Sequence, residues 1–152
     1  MSAPGLSLYR AASTALKPVA RWLLNRRAGA GKEDPDRLTE RLGQAGLPRP
    51  EGRLIWIHAA SVGESQMALT VADALLDQHR DAHVLITSGT RTSANLIAHR
   101  GLDRLIHQFP PVDAPDWVNA FLDHWMPDLA VFTESELWPN LILAAKARGV
   151  PL

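Results

Sequence analysis

The chain has 152 residues, 46% of them hydrophobic and 21% charged, which suits one globular domain with a sizeable core. It has no cysteine, so disulfides and thiolate metal sites are excluded. Formal net charge is zero but unevenly spread: residues 1–32 carry six basic residues and no acid, and the remaining 120 residues carry a charge of −6.

The predicted elements begin with a helical pattern over residues 6–27. Tyr9, Ala12, Leu16, Val19 and Leu23 share one face, and Arg10, Lys17 and Arg21 share another. Pro18 kinks or divides this helix. The segment is too polar to span a bilayer and lacks the apolar core of a secretory signal. A basic amphipathic helix fits an anionic membrane surface; a helix docked on its own domain is the alternative, and one Tyr and one Trp make a weak nucleic-acid arm. Residues 1–32 are therefore read as a membrane-associating segment, acting through 6–27, and residues 33–152 as the folded lobe. Gly31-Lys32 is not a phosphate-binding loop, because the spaced upstream glycine and the following Ser/Thr are missing. Asp36 to Leu42 reads as a short helix ended by Gly43.

Strand and helix then alternate. Leu54–Ala59 is an apolar run too short for a typical helix, and Ser65–Gln78 has helical spacing with Met67, Val71, Ala74 and Leu75 on one face. Strands at His83–Thr87, Arg104–Phe109 and Leu129–Thr133 precede helices at Thr92–Arg100, Pro115–Trp125 and Leu137–Arg148, the last closed by Gly149. Such alternation predicts right-handed βαβ units and a Rossmann-like parallel sheet with flanking helices, of order 3-2-1-4. Val150-Pro151-Leu152 reads as the start of a fifth strand, and the chain as the N-terminal part of a longer protein.

In that order the chain reverses direction between strands one and four, and ligands bind in the crevice above that point. The loop after strand one carries Ser61, Gly63 and Glu64; the loop after strand four carries Glu134, Ser135 and Glu136, then Trp138-Pro139-Asn140. Two carboxylates facing one cleft can divide into a general base and an electrostatic partner. Each has a plainer reading: Glu64 as a first-turn acid favoured by the helix dipole, Glu134 and Glu136 as caps of the last helix. Ser88-Gly89-Thr90, with Thr92, either hydrogen-bonds an anionic group at a helix N-terminus or forms an ordinary capped turn. Ser61 lacks the Gly-x-Ser-x-Gly frame of a hydrolase nucleophile. No Gly-x-Gly-x-x-Gly follows a strand, no His-Glu-x-x-His motif is present, and His79 and His83 bracket a loop. No metal or cofactor is expected.

At His58-Ala-Ala-Ser-Val-Gly-Glu64 and Thr133-Glu-Ser-Glu-Leu-Trp-Pro-Asn-Leu141 the sequence resembles the 3-deoxy-D-manno-octulosonic acid (Kdo) transferases of lipopolysaccharide assembly. Gly31-Lys-Glu33, Glu40-Arg-Leu-Gly43, Thr87 to Ser93 and Pro110-Pro-Val-Asp113 support the match, which runs from about Tyr9 to the end. The resemblance implies the N-terminal acceptor lobe of a two-lobe GT-B glycosyltransferase. That enzyme moves Kdo from CMP-Kdo to a lipid A precursor, inverting and without a catalytic metal, at the cytoplasmic face of the inner membrane. It implies Glu64 as general base and Glu134 in transition-state support, with Ser61, Gly63, Ser88, Thr90, Glu136 and Asn140 expected near substrate. It implies no nucleic-acid partner. Two departures stand out. Ser88 to Ser93 differs from the Met-Thr-Pro-Thr-Gly of relatives, and the second lobe, with the CMP-binding residues, is absent, so the fragment alone is expected to be inactive. The competing reading is a non-catalytic Rossmann-like module that binds a glycolipid or membrane.

Overall fold

The computed structural model describes residues 4–133 and 137–152, and Glu134 and Glu136 lie outside them. Helices α1 (Pro4–Ala15) and α2 (Lys17–Gly29) come first, and a 3-10 helix spans Pro35–Leu42. The sheet and its crossovers follow as β1 (Arg53–Ala59), α3 (Val62–Gln78), β2 (Ala82–Ser88), α4 (Arg91–His99), β3 (Leu105–Gln108), α5 (Pro115–Trp125), β4 (Leu129–Phe132) and α6 (Pro139–Ala147).

The four strands are all parallel, in the order β3-β2-β1-β4, as the alternation predicts. β1 is central, and Leu54 through Ala59 are all buried. Successive side chains of a strand point to opposite faces, and a parallel sheet is covered on both. Ile55, Ile57 and Ala59, with Val84 and Ile86, accordingly pack with Ala68, Leu69, Ala72 and Leu76 of α3 and Ile97 of α4. Leu54, Trp56 and Leu85 face the other way, against Val118, Phe121, Leu122 and Trp125 of α5 and Leu141 and Ala145 of α6.

The buried face of α3 differs from the one expected. Met67 is 52% exposed and Val71 44%, while Ala68, Leu69, Ala72 and Leu76 face the sheet. Both faces of this helix are apolar, so periodicity leaves its phase open. The small alanines decide it, because they let the helix approach the strands closely.

The N-terminal helices divide at Leu16, with Pro18 in the first turn of α2. They pack onto the lobe by a different face from the one the sequence marks. Tyr9 donates to Asp113 Oδ2 (2.8 Å), Lys17 pairs with Asp116 (2.6 Å), Leu24 is buried, and Lys17 and Arg21 lie over the Trp117 ring at 5.5 and 5.7 Å. The Tyr9 hydroxyl is pushed up to about 12 by burial, by its bond to Asp113 and by that carboxylate's charge. Leu8, Leu16, Val19, Trp22 and Leu23 remain 48–72% exposed. The supposed apolar face thus splits: Tyr9 turns inward and the aliphatic stripe outward.

The 3-10 helix ends at Gly43, whose left-handed φ of 80° lets its N–H bond to Glu40 O. Beneath the loop after β2, Arg41 joins Glu33 (3.1 Å) to the carbonyl oxygens of Gly89 (2.8 Å) and Pro110 (3.3 Å). Glu40 accepts from Arg37 and from the Phe109 N–H (2.8 Å). This hydrogen-bonded bracket holds the carboxyl ends of β2 and β3 in place.

Candidate functional site

The site lies where β1 and β4 end side by side. Ser61 caps α3: its hydroxyl accepts the Glu64 N–H (3.2 Å) and stands 3.2 Å from Glu64 Oε1, to which it donates. The Glu64 side chain folds back so that Oε2 accepts the Ala60 N–H at 2.6 Å. This variant of the capping box makes Glu64 a helix-start residue and fixes its carboxylate at the carboxyl end of β1. From the end of β4, Thr133 Oγ1 reaches the same Oε2 at 3.0 Å, and the Thr133 N–H donates to His58 O at 3.1 Å. The crevice is thereby bridged at the topological switch point.

Glu64 is only 9% exposed, covered by its immediate neighbours yet close to the molecular surface. Burial raises its pKa. The hydrogen bonds from Ala60, Thr133 and Ser61, with His58, outweigh that and leave it below the ordinary carboxylate value. The group therefore stands ionised at neutral pH.

His58 sits buried beside it. The Trp56 Nε1–H donates to Thr87 Oγ1 (2.9 Å), and the same hydroxyl shares a hydrogen bond with His58 Nδ1 (2.8 Å). Burial drives the pKa down to about 4; the Glu64 charge opposes the shift and the Arg41 charge adds to it.

The other expected residues divide. Gly63 is exposed in the first turn of α3, and a Cβ there would meet nothing closer than Ser61 Oγ at 4.0 Å, so that turn is open. Ser88 is buried and takes a hydrogen bond from His107 Nε2 (2.8 Å), because Arg37, a donor only, occupies His107 Nδ1 (3.0 Å). Burial and the charges of Arg37 and Arg41 push His107 down to about 3. Thr90 caps α4 in a capping box with Ser93. Asn140 is buried away from Glu64's contacts, its amide donating to Asp113 O (2.7 Å) and Ser13 Oγ (3.0 Å). Glu134 and Glu136, the expected partners across the crevice, fall outside the described residues. Among the described residues no group of three or more His, Asp or Glu could hold a metal ion.

The profile of the 3-deoxy-D-manno-octulosonic-acid transferase (kdotransferase) family matches residues 36–152. The chain belongs to that family. It is 40% identical over 138 residues to the 3-deoxy-D-manno-octulosonic acid transferase of Rickettsia bellii, covering 90% of this chain and 33% of that protein. It is 37% identical over 145 residues to the "Probable 3-deoxy-D-manno-octulosonic acid transferase, mitochondrial" of Arabidopsis thaliana, covering 95% and 32%. To the Bordetella pertussis transferase it is 33% identical over 156 residues, covering 97% and 36%. The chain thus spans about a third of the length of these Kdo transferases.

Two residues of this Kdo-transferase lobe escaped sequence reasoning. Asp113, in the Pro-Pro-Val-Asp segment, accepts the Asn140 and Leu141 N–H groups at 3.0 and 2.9 Å and so caps α6 from α5's approach. Thr133, the first residue of the quoted Thr-Glu-Ser-Glu motif, holds the Glu64 carboxylate. The motif marked both places, but only the fold pairs them with their partners.

Proposed function

We propose that the chain is the acceptor lobe of a glycosyltransferase that moves Kdo from CMP-Kdo to a lipid A precursor, with inversion and without a bound catalytic metal. The observation that carries this reading is the ionised Glu64 carboxylate, pinned by Ala60 and Thr133 at the crevice between β1 and β4. The acceptor is a sugar hydroxyl, a poor nucleophile until a carboxylate takes its proton. Glu64 is the general base. Positive charge developing at the donor's anomeric carbon is eased by a nearby carboxylate, the role assigned to Glu134. Ser61 and Gly63 shape the open first turn of α3 beside the base. The donor site belongs to a second lobe, supplied in the test below by a matched relative.

The test is transfer from CMP-Kdo by this chain joined to the second lobe of a matched relative. Glu64→Gln should cut the rate about 10²–10⁴-fold, the usual worth of a positioned base. The amide preserves the side-chain shape, so the melting curve should change little. Transfer surviving the substitution would sink Glu64 as base. No transfer from any well-folded form would favour the glycolipid-binding module.

The lobe works, on this reading, at the cytoplasmic face of the inner membrane, held there by α1 and α2. The exposed stripe of Leu8, Leu16, Val19, Trp22 and Leu23 is the apolar surface that would enter the lipid. On this reading the attachment is peripheral or monotopic; no helix among the described residues is long and apolar enough to cross a membrane. Changing Trp22 and Leu23 together to serine should weaken sedimentation with anionic vesicles at least about tenfold, from the apolar area withdrawn. Unchanged sedimentation would remove the stripe from the model of attachment.

A further inference from the structure

The Thr133 hydroxyl lies within reach of two acceptors. Its Oγ1 stands 3.0 Å from Glu64 Oε2 and 3.1 Å from His58 O, and its backbone N–H already donates to His58 O. A hydroxyl has one proton, so it serves one acceptor at a time. While Glu64 is charged, the carboxylate is the stronger acceptor and takes the bond. Oε2 then has two donors, Thr133 and the Ala60 N–H at 2.6 Å. Oε1 has only the Ser61 hydroxyl among the described residues, at 3.2 Å. Among the described residues the two oxygens of this carboxylate are therefore unequal: Oε2 takes two donors and Oε1 one.

We propose that Thr133 is a positioning residue for proton transfer, filling Oε2 so that Oε1 receives the acceptor's proton, then turning to the His58 carbonyl as Glu64 loses its charge. The inference rests on Glu64 being the general base. In the step, the acceptor O–H bond breaks and an O–H bond forms on Glu64 Oε1. The electron pair left on the acceptor oxygen makes the new bond to the donor's anomeric carbon. The bond from that carbon to the nucleotide phosphate oxygen breaks, and its pair leaves with the nucleotide. A protonated carboxyl is a weaker acceptor at Oε2, and the His58 carbonyl is already in place to take the Thr133 proton. The hydroxyl thus answers the change in charge by a rotation about one bond, with no movement of the backbone.

Thr133 favours the ionised form of Glu64 by donating to it. Among the described residues His58 is the titratable group whose charge also acts on Glu64; burial lowers it to about 4, so it takes its proton in the same acid range, in the parent and in T133V alike, and the comparison between the two isolates the hydroxyl. The decisive measurement is the ¹³C titration of the Glu64 side-chain carboxyl in this chain labelled at glutamate, the resonance being assigned by its loss in E64Q. Thr133→Val removes the hydroxyl and keeps the shape. Its titration midpoint should move up by about one pH unit, the size expected for one hydrogen bond to a charged group. Thr133→Ser restores the donor and should titrate as the parent does. Melting curves of both variants separate this effect from loss of fold. In the two-lobe form, the acid limb of the pH profile of kcat/KM should move up with T133V and return with T133S. A midpoint and acid limb unmoved by T133V, with transfer still abolished by E64Q, would overturn the role of Thr133 alone. Transfer that survives E64Q would overturn the general-base reading and the catalytic task of Thr133 with it.

Discussion

Alanine at Gly43 should destabilise the lobe by about 3–5 kcal/mol, the range of severe overpacking combined with a forbidden backbone conformation. Two costs act together. Gly43 holds φ at 80°, where an L side chain pays about 1–2 kcal/mol. The added Cβ would also stand 2.0 Å from the Trp117 carbonyl oxygen and 2.8 Å from its carbon. Both are backbone atoms of α5, and they cannot turn aside as a side chain could. α5 is in turn pinned by Val118, Phe121 and Leu122, which are completely buried against the sheet. Gly31 supplies the control. Its φ is 73°, yet a Cβ there meets nothing within 4 Å, so Gly31→Ala bears only the conformational cost. Urea unfolding of the two variants separates the terms. Equal losses would mean that the contact with Trp117 carries no weight.

The second large effect is acid destabilisation between pH 7 and pH 5. His58 and His107 are held down to about 4 and about 3 in the folded chain, chiefly by burial. Once unfolded, each takes a proton near 6.5. The sign follows: a depressed folded value leaves stability complete above pH 6.5 and removes it as pH falls towards the folded values. At pH 5 both imidazoles are still neutral in the fold, so the loss since pH 7 is roughly 3–4 kcal/mol for the pair. Glu64, also depressed, adds its loss at lower pH, below the ordinary carboxylate value. Urea midpoints at pH 7, 6 and 5 measure this. His107→Gln should remove about half of the slope, whatever it does to stability at pH 7. A parent-like slope in that variant would dismiss His107 as a source.

The sheet order was legible because its signals are local. Apolar runs of four to seven residues, proline and glycine between them, and helical spacing after each leave few ways to build a parallel sheet. The carboxyl end of β1 could be located for the same reason, and Glu64 with it. What stayed hidden were pairings between distant residues. Nothing near Thr133 or Glu64 in sequence states that they meet across 69 positions, nor Tyr9 and Asp113 across 104. The phase of α3 was hidden too, because both of its faces are apolar and the choice fell to alanines at the sheet. The partners of the N-terminal arm's cations were hidden as well: Lys17 and Arg21 are turned onto Trp117 and Arg27 onto Glu33. Aromatic faces and a buried carboxylate offered them closer partners.

That inward use of charge has a consequence for ionic strength. Salt screens exposed charges over a distance of about 8–10 Å at 0.1–0.15 M. The Lys17–Asp116 pair is exposed on its acidic side, 70% of the Asp116 side chain being accessible. Added salt therefore acts on that pair, while the exposed stripe of Leu16, Val19, Trp22 and Leu23, on the proposed reading, would hold lipid through the hydrophobic effect, which sulfate and phosphate strengthen. If the proposed membrane attachment holds, a high-salt wash, the usual way to strip a basic protein from an anionic surface, would weaken the Lys17–Asp116 pair and leave the apolar hold on the lipid in place.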